Sequence, residues 1–572
     1  MMKRRALWLM LSCLMAASLV LASCAPSEGE KVAPAEEKDP QYGGTLTILT
    51  TFCDLEHLSF DHADVQWMHN YTAGPYQETL LVGDLQKGPR GAGEWSFTSM
   101  AYIPEGVTTG CLTESWEWTD PSTLVFHMRQ GVMWQDKPGI MEARELTADD
   151  VVSSWNRILA KPAFVPGRYD WIDSFSAPDK YTVVVKANEF NANWPYRLGW
   201  GYYTMICPPE LAEAGARDWE NACGTGPFML TDYIKGTCTT YERNPNYWGK
   251  TTIDGKEYQL PFVDKMVWPI IVDVSTQIAA LRTAQVDVAE EVGWQYAESL
   301  EETNPELQRW QPEGELQNAV GMRADTPPFD DIRIRQALNM SVDRQGMIES
   351  LMGGHAILLN FPFCADWELY TPIDELPESA QELFTYNPEK AKALLAEAGY
   401  PEGFKCEMVC NNLQASIDMA SMVASNLADV GVEVELKPLE YGAYLGTMYS
   451  KRYEHMYLTH FGTGNPFSRI RETMLSGQNW NTALWDAPSV DEKWYQARRE
   501  IDAAERSRLL KELCVYAIDQ CPYIMLPTAN YYRYAWPWVE NYYGENRAGA
   551  VNPSPIYARI WLDLEQKAAM GY

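Results

Sequence analysis

The chain has 572 residues, too many for one ordinary domain, and this length points to three or four. With 46% apolar and 12% aromatic residues it can fill several cores, which excludes a disordered chain. Its 78 acidic and 46 basic side chains leave a formal charge of −32, which sets it against nucleic acid and anionic membrane surfaces as partners.

Residues 1–5 (MMKRR) supply a positive start, and residues 6–23 form an uncharged apolar run. Eighteen residues just span a bilayer as a helix. A short basic start and the small residues at the end of the run fit a cleavable export signal over 1–23 better. Leu21-Ala22-Ser23-Cys24 resembles a bacterial lipobox, which implies that Cys24 is acylated and becomes the first residue of the mature protein. Stable attachment takes more than one acyl chain. Residues 24–41, rich in Pro, Glu and Lys and without an aromatic, cannot bury apolar surface and read as a solvated tether.

Beyond the tether, strand and helix patterns alternate. Residues 45–51 (TLTILTT), 123–128 (TLVFHM) and 181–187 (YTVVVKA) carry β-branched and apolar residues in strand-like runs. Thr147 opens a helix, with Asp150 completing a capping box. Asn387-Pro388 opens another, closed by Gly399. A helix over 419–430 then leads through Gly431 into the strand VEVELKPL (432–439). Helices between strands point to α/β layers.

Twelve cysteines are present, of which Cys13 and Cys24 belong to the signal and lipobox. In an oxidising compartment the remaining ten can pair. Spacing alone does not fix the pairing; Cys207 with Cys223 is the first expectation and Cys514 with Cys521 the second. Cys406 and Cys410, four apart, fit a strand rather than a metal site, and no CxxC pattern occurs.

Several apparent motifs carry no chemistry. Trp248-Gly249-Lys250-Thr251 ends like a phosphate-binding loop, but that pattern needs a glycine where Asn244 stands. His57, His62 and His69 are spaced by five and seven, which fits neither one helix face nor a zinc pattern, so no metal site is assigned. Asp149-Asp150 and Asp330-Asp331 read as helix N-termini or solvated faces. There is no G-x-S-x-G and no H-E-x-x-H. An extracytoplasmic hydrolase is the rival class; it would need paired carboxylates facing one pocket.

Six ordered blocks carry a resemblance. They are YGGTL at 42–46; LTESWEW, TLVFHMRQGVMWQD and ELTADDVVSSWNR within 112–157; and GTGPFMLTDYIKGTCTTYERNPNYWG at 224–249. DVSTQIAALRTAQVDVAE at 273–290, PPFDDIRIRQALNMSVDR at 327–344 and YNPEKAKALLAEAGYPEGF at 386–404 complete them. Together they resemble the extracytoplasmic solute-binding proteins of the peptide/nickel type that serve ABC importers. The resemblance implies an α/β, two-lobed periplasmic-binding-protein fold with an extra domain inserted in the N-terminal lobe. Lobe I would comprise 42–65, 216–290 and 525–572, the inserted domain 66–215, and lobe III 291–524. The chain would cross between lobes near Val288–Val292 and Tyr523–Pro527. The implied role is non-enzymatic and needs no cofactor. A monomer, lipid-anchored on the outer face of the cytoplasmic membrane, captures a small organic solute of the di- or oligopeptide class. It passes this cargo to a membrane permease whose ATPase subunits are separate.

The same resemblance puts residues 456–467 (MYLTHFGTGNPF) at the cleft. None of these twelve residues is charged. Peptide-binding relatives place there an Asp that pairs with the ligand's α-ammonium group; aligned on Gly464-Asn465-Pro466, this chain has Gly462. An α-ammonium buried without a carboxylate is costly, so a neutral oligosaccharide or other non-peptide ligand is the alternative cargo. Glu454 and Glu472 lie outside the loop. The candidate ligand residues are Trp294, His460, Phe461, Gly462, Thr463, Asn465, Trp480 and Asn481, whose aromatic faces and amides suit polar rings or peptide groups.

Overall fold

The β-rich segment TLTIL forms strand β1 (Thr45–Leu49), with Leu46 and Ile48 fully buried. A computed structural model describes residues 38–50, 60–64, 69–99, 102–162, 164–312, 316–361, 368–462, 465–550 and 552–572, with only the backbone for 69, 70 and 316. The signal segment, Cys24, His57 and Thr463 therefore lie outside the described residues. Tyr42–Tyr572 forms one compact unit.

The strands that follow are β2 (Thr113–Asp120), β3 (Thr123–Met128), β4 (Ile172–Asp179), β5 (Thr182–Ala187), β6 (Phe228–Ile234), β7 (Cys238–Arg243) and β8 (Lys265–Pro269). After them come β9 (Val288–Gly293), β10 (Gln308–Trp310), β11 (Leu316–Met322), β12 (Phe404–Asn411), β13 (Val432–Leu439), β14 (Met456–Gly462), β15 (Tyr523–Met525) and β16 (Tyr531–Ala535). A seven-stranded sheet has the order β10-β16-β9-β1-β8-β7-β6, and β1 runs parallel to both β8 and β9. A five-stranded sheet has the order β13-β12-β14-β11-β15, with β12 parallel to β13 and β14. The four-stranded antiparallel sheet β2-β3-β5-β4 is built between β1 and β6.

Among the longer helices are α1 (Ala148–Leu159), α2 (Pro388–Glu397), α3 (Gln414–Ala428), α4 (Pro466–Met474), α5 (Pro488–Arg499) and α6 (Ala503–Asp519). Two starts, those of α1 and α2, follow the predicted chemistry. Thr147 and Asp150 form the capping box of α1. Asn387 accepts from the Lys390 amide at 3.1 Å, and Gly399, just past α2, takes the left-handed φ of 98° that glycine tolerates. Helix α3 begins at Gln414, earlier than the predicted 419, because the chain turns at Asn411–Leu413 and the helix needs no polar cap side chain.

Apolar burial divides into two large cores. One gathers Leu46, Ile48, Leu281, Val288 and Trp536 with the inserted segment; the other gathers Met408, Met456, Leu513 and Ile524 around the five-stranded sheet. The molecule is thus a two-lobed α/β protein. One boundary differs from expectation: β10 still pairs with β16, so the chain stays in the seven-stranded sheet beyond residue 290 and leaves it only after Trp310. The return passage falls between β15 and β16.

The recurrent blocks build the frame. Asp150 accepts from the Thr147 amide at 2.8 Å, from Trp134 Nε1 at 3.1 Å and from Arg144 at 2.7 and 2.9 Å. Glu78, buried, accepts from Thr225 Oγ1 at 2.8 Å and from Tyr247 and Trp248 at 3.0 Å, which explains both the GTGP turn and the NYW corner. Asp331 caps the helix Ile332–Met340. His62 is buried, and burial pushes its pKa down to about 4 despite Asp61. Among the described residues no group of three His, Cys, Asp or Glu side chains is arranged to hold a metal ion.

The expected disulfides are not formed. Cys207, Cys223, Cys514 and Cys521 are buried free thiols. The Cys207 thiol donates to the neighbouring Pro208 carbonyl and that of Cys223 to the distant Gln135 carbonyl, so each has a partner other than a cysteine. Cys514 sits inside α6, whereas Cys521 lies past its end at a φ of 40° and faces Arg335.

Candidate functional site

The seam between the lobes is where polar chemistry concentrates. On the first lobe, Thr50 follows the end of β1 and donates to Glu290 on β9 at 2.5 Å. Tyr557 and Arg547 also bond Glu290, the latter at 3.3 Å. Burial pushes Glu290 up, but Arg547 and the hydroxyls of Thr50 and Tyr557 outweigh it and hold the group below the usual carboxylate range. The Arg547 guanidinium lies over the Tyr71 ring, 5.4 Å from its centre, and the Tyr71 and Tyr202 hydroxyls are 2.9 Å apart. Aromatic contacts continue through Tyr196, Tyr202 and Tyr203 to Phe164.

The second lobe presents β14 and α4. Asn465 caps α4, its side chain accepting from the Ser468 amide at 3.2 Å, and Ser468 in turn accepts from Arg197 at 2.8 Å across the seam. The residues after this cap are charged. Arg471 donates to Glu472 at 2.9 Å and also to Gln478; Arg469 lies 3.7 Å from the other Glu472 oxygen. The Arg471 side chain is 1% exposed and that of Glu472 25%. Gly167, in the segment between α1 and β4, stands directly against Arg471: a Cβ there would meet Arg471 Cδ at 3.6 Å. Next to that glycine, Arg168 lies over Phe164 at 4.5 Å.

Arg469 and Arg471 thus bracket one carboxylate, and Arg168 and Arg197 approach this end of α4 from the other lobe. Burial pushes Glu472 up, yet Arg471, Arg469, Arg168 and Arg197 outweigh it and hold the group ionised below the usual range. Burial pushes Arg471 down to about 9, with Glu472 opposing and Arg168 and Arg197 reinforcing the shift. Arg168 is lowered by burial and by Arg197. Burial and Arg469 lower His460.

Direct pairs also span the seam. Arg498 bonds Asp170 at 3.2 Å and Glu189; Arg499 bonds Glu189 at 2.6 Å; Arg506 bonds Glu105 at 3.2 Å. The Ala192 amide donates to the Arg498 carbonyl at 2.8 Å. The lobes are therefore in contact, as in a closed clamp.

The predicted ligand residues fall into distinct settings. His460, Phe461 and Gly462 end β14, and Asn465 follows at the seam. Phe461 is 1% exposed and packs edge-on against Tyr523 at 5.4 Å, so its ring is core. Asn481 commits its amide to the Leu475 and Trp485 carbonyls. Trp480 stands edge-on to Tyr449 at 6.3 Å. Trp294, directly after β9, stacks on His355 with centres 5.4 Å apart. The sequence reading missed Arg168, Arg197, Arg469 and Arg471, and set Glu472 aside as lying outside the loop. The only local signal was the RIRE run immediately after the uncharged loop.

Comparison with known proteins places this architecture. Residues 108–482 match the family model for bacterial extracellular solute-binding proteins, family 5 middle. Heme-binding protein A of Haemophilus influenzae is 26% identical over 548 residues, covering 89% of this chain and 92% of that protein. The dipeptide-binding protein of Escherichia coli is 27% identical over 448 residues, covering 73% and 80%. The periplasmic binding protein DppA of Helicobacter pylori, solved with the peptide STSA, superposes with a TM-score of 0.72 at 22% identity, covering 91% and 99%. This chain belongs to the family 5 bacterial extracellular solute-binding proteins, which are binding proteins of ABC importers and not enzymes.

Proposed function

We propose that this protein is the substrate-binding lipoprotein of an ABC importer, capturing a small solute of the di- or oligopeptide class between its lobes and delivering it to a permease. The observation that carries this reading is the seam itself, to which both lobes bring buried polar groups, Arg197 of one meeting Ser468 of the other at 2.8 Å. A solute contacting both faces favours the closed state by those contacts. Peptide cargo is supported by relatives named for dipeptide binding and by a neighbour solved with a peptide. Against the neutral-oligosaccharide alternative, which rested on the uncharged loop, we weigh the charged Arg469, Arg471 and Glu472 that α4 carries directly after it. Attachment through Cys24 rests on the basic start, the apolar run and the LASC sequence.

A thermal-shift screen of di- and oligopeptides against oligosaccharides tests the ligand class. Peptides are expected to raise Tm, with about 2.7 kcal/mol of stabilisation at a hundredfold excess over Kd. Stabilisation by sugars alone contradicts the peptide assignment.

A further inference from the structure

We infer that the solute carries two or more acidic groups, and that Arg168 and Arg197 of the inserted domain and Arg469 and Arg471 of the opposite lobe are the residues that recognise them. This rests on the cleft being the solute site.

Charge balance is the first ground. Glu472 lies 2.9 Å from Arg471 and 3.7 Å from Arg469, while Arg197, bonded to Ser468, and Arg168, next to the Gly167 that packs on Arg471, come from the facing lobe. Nearby acids are committed elsewhere: Asp170 and Glu189 pair with Arg498 and Arg499. Arg197 and Arg471 are buried and Arg168 and Arg469 half-buried; such an excess of cations is costly unless anions face it, and it stands out in a chain whose formal charge is −32. The second ground is unmet donors. The Nε–H groups of Arg469 and Arg471 are buried without a hydrogen-bond partner, and the Arg471 side chain is 1% exposed. Guanidinium edges suit carboxylate and phosphate oxygens because their donors lie in one plane.

The third ground is placement. Like charges sit on both faces, so closing the lobes brings Arg168 and Arg197 toward Arg469 and Arg471. An anion between them converts that repulsion into attraction and makes closure depend on the ligand's charge. Glu472 is already bonded by Arg471, and a ligand ammonium directed at it would meet four guanidinium groups. Tyr196, Tyr202 and Tyr203 beside the cluster offer flat faces for the body of the solute.

Isothermal titration of the purified protein with N-acetyl-Ala-Ala, N-acetyl-Ala-Glu and N-acetyl-Glu-Glu varies the number of carboxylates on one backbone, and free Ala-Ala adds an ammonium. Affinity is expected to rise about tenfold for each added carboxylate that engages an arginine and to fall as salt is raised. Arg168→Met should flatten the series; Arg471→Lys, which keeps a charge at the buried position, should weaken it and serves where Arg471→Met fails to fold. Equal affinity across the series, or tightest binding of free Ala-Ala, overturns the charge assignment and leaves the solute-binding reading standing. Absence of binding in the series while a neutral or cationic compound raises Tm overturns the assignment alone. Absence of any stabilising compound overturns both.

Discussion

Glu290 shows how one buried carboxylate joins frame to cleft. It sits on β9 and gathers Thr50 from near the start of the fold and Arg547 and Tyr557 from near its end. Its folded pKa is depressed, so its contribution is complete above the ordinary carboxylate value of 4.5 and is lost as pH falls through the depressed one. Glu290→Gln leaves Arg547 buried without its counter-charge and should cost about 3–5 kcal/mol at pH 7. The variant's unfolding free energy should also change less than that of the native protein below pH 4.5, which urea titrations across pH would show. At the other end of the chain, Cys24→Ala should move the protein from the membrane fraction to the soluble one, as cell fractionation reads directly. Single residues were also where the sequence was hardest to interpret. Arg469, Arg471 and Glu472 lie just past the uncharged loop, and only the turn of α4 returns them to it. Arg168 and Arg197 come from the other lobe, nearly three hundred residues away, and no local pattern marks them.

Elements were far more legible, because their signals are local. The capping box of α1, the Asn-Pro start of α2 and the β-branched run of β3 depend on neighbours within a few residues, and each formed where its chemistry placed it. The GTGP turn is a further case. A Cβ at Gly224 would overlap the Tyr76 carbonyl oxygen, and Thr225 beside it anchors Glu78. Gly224→Ala should therefore destabilise the protein by about 1–3 kcal/mol while leaving solute affinity of the folded fraction unchanged, a pair of results that denaturation and titration calorimetry separate. Two element-level expectations failed for a shared reason. Cysteine pairing and the first lobe passage depend on which segments meet in space: β10 returns to pair with β16, and the Cys207 and Cys223 thiols find carbonyls of their own.

At the scale of the whole molecule the two-lobed plan followed from the six ordered blocks, but the character of the cleft did not, since it is assembled from both lobes. Its closed geometry is held in part by Arg498, 3% exposed, against Asp170 and Glu189. These pairs exist only with the lobes together, so they contribute to the differential free energy of closure. Arg498→Met should weaken solute affinity about tenfold without altering the ligand's charge preference, because one buried charged hydrogen-bond set is lost from the closed state alone. The decisive measurement is small-angle X-ray scattering of the purified protein with and without the most stabilising peptide of the thermal-shift screen, followed by recovery of that peptide. A smaller radius of gyration with the peptide, recovered chemically unaltered, is the predicted result; an unchanged radius, or conversion of the peptide to product, would contradict capture by closure.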